Sequence, residues 1–430
     1  MKNDLSPNWN LEVIFPGGSE SPEFAHYLEL LAKDIEGLHR DLLSPIVGVE
    51  KWVEVIGRTQ KIANKQRQAG AFISCLTAQN VKDEKARVLG NKTRQLNAAY
   101  SSVLTQLDKY ILETSDLDWN ELLKQDTLAP LTFNLNERRR RAKDKMSAEL
   151  ETLVNDLSVE GYHGWSALYD TITGRMTIPI EENGKTVHLS TGQAANRLQS
   201  PDRAVREHVM QRWEEAWAKE ADLCTLALNS LAGYRLSLYR HRGWDDVLFE
   251  PSDYNRMSQD TLHTMWSSIT ANKGRLVEFL NRKKKMLNIE SLNWHDVSAP
   301  IGEVGGTVSF SEAAKFIVNQ FAKISPKMAD FTKKVFENGW VEAEDRPGKR
   351  AGAFCTSFPE IEQSRVFMTF AGTMGNVTTL AHELGHAYHQ GVMNDVPPMA
   401  QQYAMNVAET ASTFAEMLVA DAALQGAKNA

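Results

Sequence analysis

The sequence predicts a mainly α-helical protein that carries a small β element. Three observations support this. Most of the chain is built from Ala, Leu, Gln, Lys and Arg with few breakers. One short stretch, "TITGRMTIPIEENGKTVHLS", places β-branched residues on both sides of an Asn183-Gly184 pair. Near the C-terminal end, "NVTTLAHELGHAYHQGV" repeats histidine at helical spacing.

Taken in order, residues from about 50 to 113 form the first helical block, interrupted only by Gly57, Gly70 and Gly90. Within it Val103, Leu104, Leu107, Tyr110 and Ile111 share one stripe. A second block runs from about 136 to 157 and opens with "NERRRRAKDK". Its four arginines, Arg138 to Arg141, point to all sides of a helix turn beside Glu137, Asp144 and Glu149, which reads as a solvated helix start. Residues 169–190 read as a two-stranded hairpin. Helix then resumes, with Ser200 as the expected N-cap and Pro201 at the first helical position. Two further helices are expected over about 258–287 and 311–338. "NIESLNWHDVSAPIG" reads as a loop between them, with His295-Asp296 given no role. "NGWVEAEDRPGKRAGAFCTSFPE" reads as a long surface loop, a candidate lid hinged at Gly348 and Gly352. "SRVFMTF" reads as a strand, either internal or an edge able to pair with an extended peptide.

Length and composition bound the function. At 430 residues the chain accommodates two or three domains. The expected division is an N-terminal helical region (1–115), a helical segment with the hairpin (116–190), and a catalytic region (191–430). A net charge of −7 argues against general nucleic-acid binding. No apolar run approaches the roughly 20 residues that cross a bilayer. The opening residues do not read as a secretory signal. Cys75, Cys224 and Cys355 lie too far apart in sequence for a disulfide framework or a thiolate cluster, so a cytoplasmic location is expected.

The chemistry concentrates in one window. On a helix over 380–390, His382 and His386 stand one turn apart on one face, while Leu380, Leu384 and Ala387 form another. Asn376 is the expected cap and Gly391 the expected end. Two imidazoles on a rigid element suit one zinc ion, and the H-e-x-x-H pattern makes Glu383 the general base. Zinc lowers the pKa of water and polarises a scissile carbonyl. A chance match is expected in about one such chain in fifty, so a third ligand matters. Val392 stands where a third histidine would fall in the extended motif. The alternative is a glutamate on a following helix. In "NVAETASTFAEMLVADAAL", Val407, Ala411, Phe414 and Leu418 are expected to pack inward, leaving Glu409 opposite with Thr413 and Glu416. His389 is read as a neighbour of the site and not a ligand.

"FMTFAGTMGNVTTLAHELGHAYHQ" followed by "AETASTFAEML" resembles the oligoendopeptidase F branch of the thimet-oligopeptidase-like zinc metallopeptidases. The likeness extends upstream through "SAPIG" and "AGAFCTSFPE". It implies a helical, two-lobed zincin peptidase with a deep channel, holding one Zn2+ and cleaving short oligopeptides. It implies His382, His386 and Glu409 as metal ligands, Glu383 as general base, and Glu416 as support behind them. Family members continue into helices whose Tyr and His residues contact the substrate carbonyl. The chain is therefore expected to be C-terminally shortened, stopping at "ADAALQGAKNA". The competing expectation is a non-catalytic peptide-binding or scaffold protein, or an inactive fragment that keeps the zinc site.

Overall fold

A computed structural model describes residues 4–182, 184–302 and 306–426. The Asn183 half of the expected turn and the last four residues of "ADAALQGAKNA" lie outside them. The N-terminal part stacks α1 (Pro22–Asp41), α2 (Val49–Gln79) and α3 (Glu84–Glu113), followed by α4 (Asp116–Leu122) and α5 (Thr132–Ala142). Helix α1 begins because the Ser21 hydroxyl accepts the Phe24 amide and Pro22 occupies the first turn. Its Leu28, Leu31, Ile35 and Leu38 recur at helical spacing and are buried against Val55, Ile56 and Phe72 of α2. Each such side chain contributes about 1.5–3 kcal/mol relative to exposure. The expected stripe of α3 is buried at Val103, Leu107, Tyr110 and Ile111.

The arginine run is not a solvated helix start. Arg138 binds Asp108, Arg139 binds Asp116 and lies over the Trp119 ring, and Arg140 and Arg141 both hold Asp253. These residues clamp α5 to its neighbours. The block after them is also not one helix. It breaks over 143–147 before α6 (Ala148–Ser158), because the buried Glu151 carboxylate takes the Met146 amide at 3.1 Å and pairs with Arg242 at 2.6 Å.

The hairpin is shorter than its sequence suggests. Residues up to 175 continue α7 (Gly164–Arg175), and the strands are β1 (Thr177–Glu182) and β2 (Lys185–Ser190), paired antiparallel from Thr177–Ser190 to Glu182–Lys185. Ile172 and Met176 are buried in a core with Ile178, Ile180 and Leu189, so packing overrides the β preference of "TITG". Gly184 supplies the positive φ of the turn.

After α8 (Thr191–Arg197), α9 (Arg203–Arg242) is capped by Asp202, whose carboxylate accepts the Ala204 amide at 2.9 Å. Ser200 instead accepts the Asp202 amide one step earlier, so the expected cap is displaced by two residues. Then come α10 (Phe249–Tyr254), α11 (Gln259–Met286) and the short α12 (Trp294–Val297), which lies inside the expected loop. Asp296 in α12 is fully buried and receives Arg206 at 3.0 Å and Arg203 at 3.1 and 3.2 Å. His295-Asp296 is thus the anchor that ties α9 to the following segment. The expected helix over 311–338 is two helices, α13 (Phe310–Ile324) and α14 (Pro326–Glu337). Pro326 excludes helical backbone at Ser325, which caps α14 instead.

The segment after α14 is largely interior and not a surface loop. Trp340, Val341, Glu342, Ala343 and Lys349 are all buried. It contributes β3 (Val341–Glu342) and β4 (Phe354–Phe358), which flank β5 (Gln363–Phe367) in the order β3-β5-β4. Lys349 reaches the Glu342 carboxylate and the carbonyls of Glu344 and Met368. The Gly348 carbonyl and Arg350 amide bond to α2 and the turn after it. These anchors fix the would-be lid. Strand β5 is central, so the edge-strand reading of "SRVFMTF" is corrected: β3 and β4 are the edges of this sheet. Two helices complete the description, α15 (Met374–Val392) and α16 (Met405–Gly426). Among the described residues no helix is long and apolar enough to cross a membrane.

Removing the Asp296 carboxylate strands a buried guanidinium. Asp296→Ala is expected to cost about 3–5 kcal/mol in denaturant unfolding. Arg203→Gln, which removes the more exposed partner and leaves Arg206 paired with Asp296, should cost much less.

Candidate active site

Helix α15 starts at Thr373, whose hydroxyl accepts the Asn376 amide while Asn376 Oδ1 accepts the Thr373 amide. Asn376 therefore answers the cap from the third helical position and is not the cap itself. Val377, Leu380, Ala381, Leu384 and Ala387 bury one face in the core shared with α13, α14 and β5. His382 and His386 project from another face, with ring centroids 5.0 Å apart.

Helix α16 crosses α15 very closely. A Cβ on Gly385 would lie 2.6 Å from the Ala411 carbonyl oxygen and 2.8 Å from Ser412 Cα. The buried face of α16 is Ser412, Ala415 and Val419. The expected inward stripe is wrong, since Val407 and Phe414 are 49 % and 52 % exposed. The crossing selects the smallest residues, and side-chain size carries that information while hydrophobicity does not. Glu409, Ser412 and Glu416 then share the side turned toward the histidines.

Glu409 Oε2 lies 3.1 Å from His382 Nε2 and 3.3 Å from His386 Nε2. One ligand atom from each of the three residues falls within 4.8 Å of the others. Behind this group, Glu416 Oε2 stands 3.1 Å from His382 Nδ1. A proton on that Nδ1 leaves the Nε2 lone pair directed at the group. The hydroxyl of the fully buried Ser412 donates to Glu409 Oε2 at 2.6 Å.

The charge states suit a cation. The Ser412 hydrogen bond first, then the two imidazoles, hold the Glu409 carboxyl below its usual range. Burial lowers the His386 pKa, which keeps its ring neutral and able to donate a lone pair. Glu383 is buried. Burial, with a smaller push from Glu409, raises its carboxyl to about 7. Its Oε2 has no hydrogen-bond partner among the described residues. A buried orphan acceptor beside two imidazoles and a carboxylate fits a centre completed by a divalent cation and water.

The sequence reading missed Ser412 and Tyr403. His389, outside the three-residue group, lies against Tyr403 with ring centroids 4.7 Å apart and tilted by 42°, and Gln390 donates to the Tyr403 oxygen at 2.7 Å. Burial drives the thiol of Cys355, on β4, well above the ordinary range, so it is no thiolate nucleophile. Only Ser412 left a sequence signal, one helical turn after Glu409.

The fold and site define a helical protein with a two-histidine, one-glutamate centre on two crossing helices. Comparison with known proteins then fixes the family. A profile described as Peptidase family M3 matches residues 197–430, and one described as Oligopeptidase F matches 111–178. The chain belongs to peptidase family M3, in its oligoendopeptidase F branch. Oligopeptidase PepF of Bacillus subtilis is 21 % identical over 420 residues, covering 96 % of this chain and 62 % of the relative. Group B oligopeptidase PepB of Streptococcus agalactiae is 21 % identical over 59 % of this chain and 43 % of its own length. This chain thus spans less than two thirds of either relative. Among solved structures, oligoendopeptidase-F from Enterococcus faecium superposes with a TM-score of 0.67 at 16 % identity, covering 95 % of this chain and 68 % of the other. PZ peptidase A with an inhibitor gives 0.76 at 14 % identity, covering 91 % and 68 %.

The orphan carboxylate makes a stability prediction for chelator-treated protein. A raised folded pKa means the folded state favours the protonated acid. Its contribution is present below the ordinary value of 4.5 and is lost as pH rises through about 7. Glu383→Gln, neutral at every pH, should therefore stabilise the metal-free protein by up to about 3 kcal/mol above pH 7. The gain should shrink toward pH 4.5, as followed by urea unfolding across the range.

Proposed function

We propose that this chain is a zinc-dependent endopeptidase that hydrolyses short oligopeptides. The observation that carries the reading is the buried, unpartnered Glu383 oxygen beside the His382–His386–Glu409 group. His382, His386 and Glu409 hold one divalent cation, and zinc is the ion this donor set suits. When bound, it supplies a Lewis acid that polarises the scissile carbonyl and acidifies water. Glu383 takes the proton from the attacking water and delivers it to the departing amine, so no acyl-enzyme forms. It must be ionised to do so, and the rate falls on the acid side of its titration.

Glu416 and Ser412 keep two of the ligands oriented. Strand β4 lies against α15 with one edge unpaired among the described residues, and an extended peptide pairs there by its main chain. Such pairing needs a backbone without tertiary structure, which favours oligopeptides over folded proteins. Three thiols without disulfide partners fit a reducing, cytoplasmic location.

Glu383→Gln tests the mechanism. It should keep one zinc per chain by elemental analysis yet lower turnover of a quenched fluorescent peptide by about 10²–10⁴. Cleavage at the wild-type rate would refute the general-base role. Zinc without chelator-sensitive cleavage by the wild-type chain would instead favour a peptide-binding protein.

A further inference from the structure

A cavity of about 520 Å3 lies among α2, α3, α7 and the segment leading into β4, and it contains none of the residues of the metal site. Its charged lining is unbalanced. Arg87, Arg94 and Arg350 face it, and Asp170 is the one carboxylate among its lining residues. Arg87 is partly satisfied by Glu84 at 3.4 Å. Arg94 donates to Asn91 Oδ1, but neither Arg94 nor Arg350 has a carboxylate within ion-pairing distance among the described residues, although both feel Asp170. Both guanidiniums are half-buried, where an unpaired charge is costly and an anion restores the balance. Ser74 and Thr77 add neutral hydroxyl groups, and Asn91 helps to hold Arg94 in place.

The cavity's position says which anion. Arg350 precedes β4, and its guanidinium lies 4.7 Å from the centroid of the Phe354 ring, the first residue of that strand. Strand β4 packs against α15, the helix that carries Glu383. The open edge of β4 therefore runs beside the helix of the catalytic glutamate and begins, at Phe354, next to the arginine cavity. A peptide paired antiparallel to β4 points its C-terminal end toward Phe354 and Arg350. The opposite direction would bring a terminal ammonium to the arginines, and like charges exclude it.

We propose that this cavity captures the free C-terminal carboxylate of an oligopeptide laid along β4, through Arg94 and Arg350. The site sets both the direction of the bound peptide and the distance from scissile bond to C-terminus. It rests on the peptidase reading above and gives that reading a basis for preferring short substrates, since only a nearby terminus reaches the cavity.

The test separates binding from turnover. Zinc-loaded full chain carrying Glu383→Gln is titrated, by fluorescence anisotropy, into N-terminally labelled peptides of graded length, each as free acid and as C-terminal amide. The acid should bind about tenfold tighter than the amide at one preferred length. Adding Arg94→Gln and Arg350→Gln should bring that ratio close to one. Asp170→Asn, which removes the competing carboxylate, should widen it, an effect in the opposite direction that misfolding cannot produce. Equal binding of acid and amide at every length would overturn the proposal. So would a preference that survives both arginine substitutions. Cleavage by the wild-type chain, measured separately, reports on hydrolysis alone, so a failure there is distinguishable from a failure here.

Discussion

The close crossing of α15 and α16 at Gly385 is the constraint on which the site depends. With a Cβ position only 2.6 Å from a backbone oxygen of the other helix, no larger residue fits without parting the pair. Parting them would carry Glu409 away from the two histidine Nε2 atoms, which it approaches at 3.1 and 3.3 Å. It would also release Glu416 from His382. Ser412 and Ala415 are small for the same reason. The apolar face of α15, fixed against β5 and α13, sets the other half of the geometry.

The electrostatics follow from where each group sits relative to that crossing. Glu409 stays at the exposed rim with Ser412 donating to it, and so remains ionised. Glu383 is buried and loses its solvent, and its Oε2 gains no hydrogen-bond partner among the described residues. Two carboxylates on adjoining helices thus carry different proton affinities. One is suited to hold a cation and the other to accept and return a proton. Several other buried charges are paired: Asp296 with two arginines, Glu151 with Arg242, Lys349 with Glu342.

Much of this site was legible in the sequence because helical periodicity is local. The spacing of His382 and His386 fixes their common face once a helix forms, and Glu409 stands on the next helix. What stayed hidden depends on long-range packing. The inward face of α16 was misread through Val407 and Phe414 because hydrophobicity does not report a crossing that requires small residues. The start of the hairpin was misread because Ile172 joins a core supplied mostly by later residues. The buried path of residues 340–349 looked like a loop because its glycines and charges are local signals, while Lys349 and Glu342 satisfy each other only in the fold. The position of β5 between β3 and β4 is a matter of topology that no short window encodes.

X-ray absorption at the zinc edge of the zinc-loaded chain tests the central claim most directly. The account predicts a shell of nitrogen and oxygen donors at about 2.0–2.2 Å with outer-shell scattering from two imidazoles. The His386→Ala chain should lose one imidazole from that pattern. Sulfur at about 2.3 Å, or a spectrum unchanged by the substitution, would contradict it.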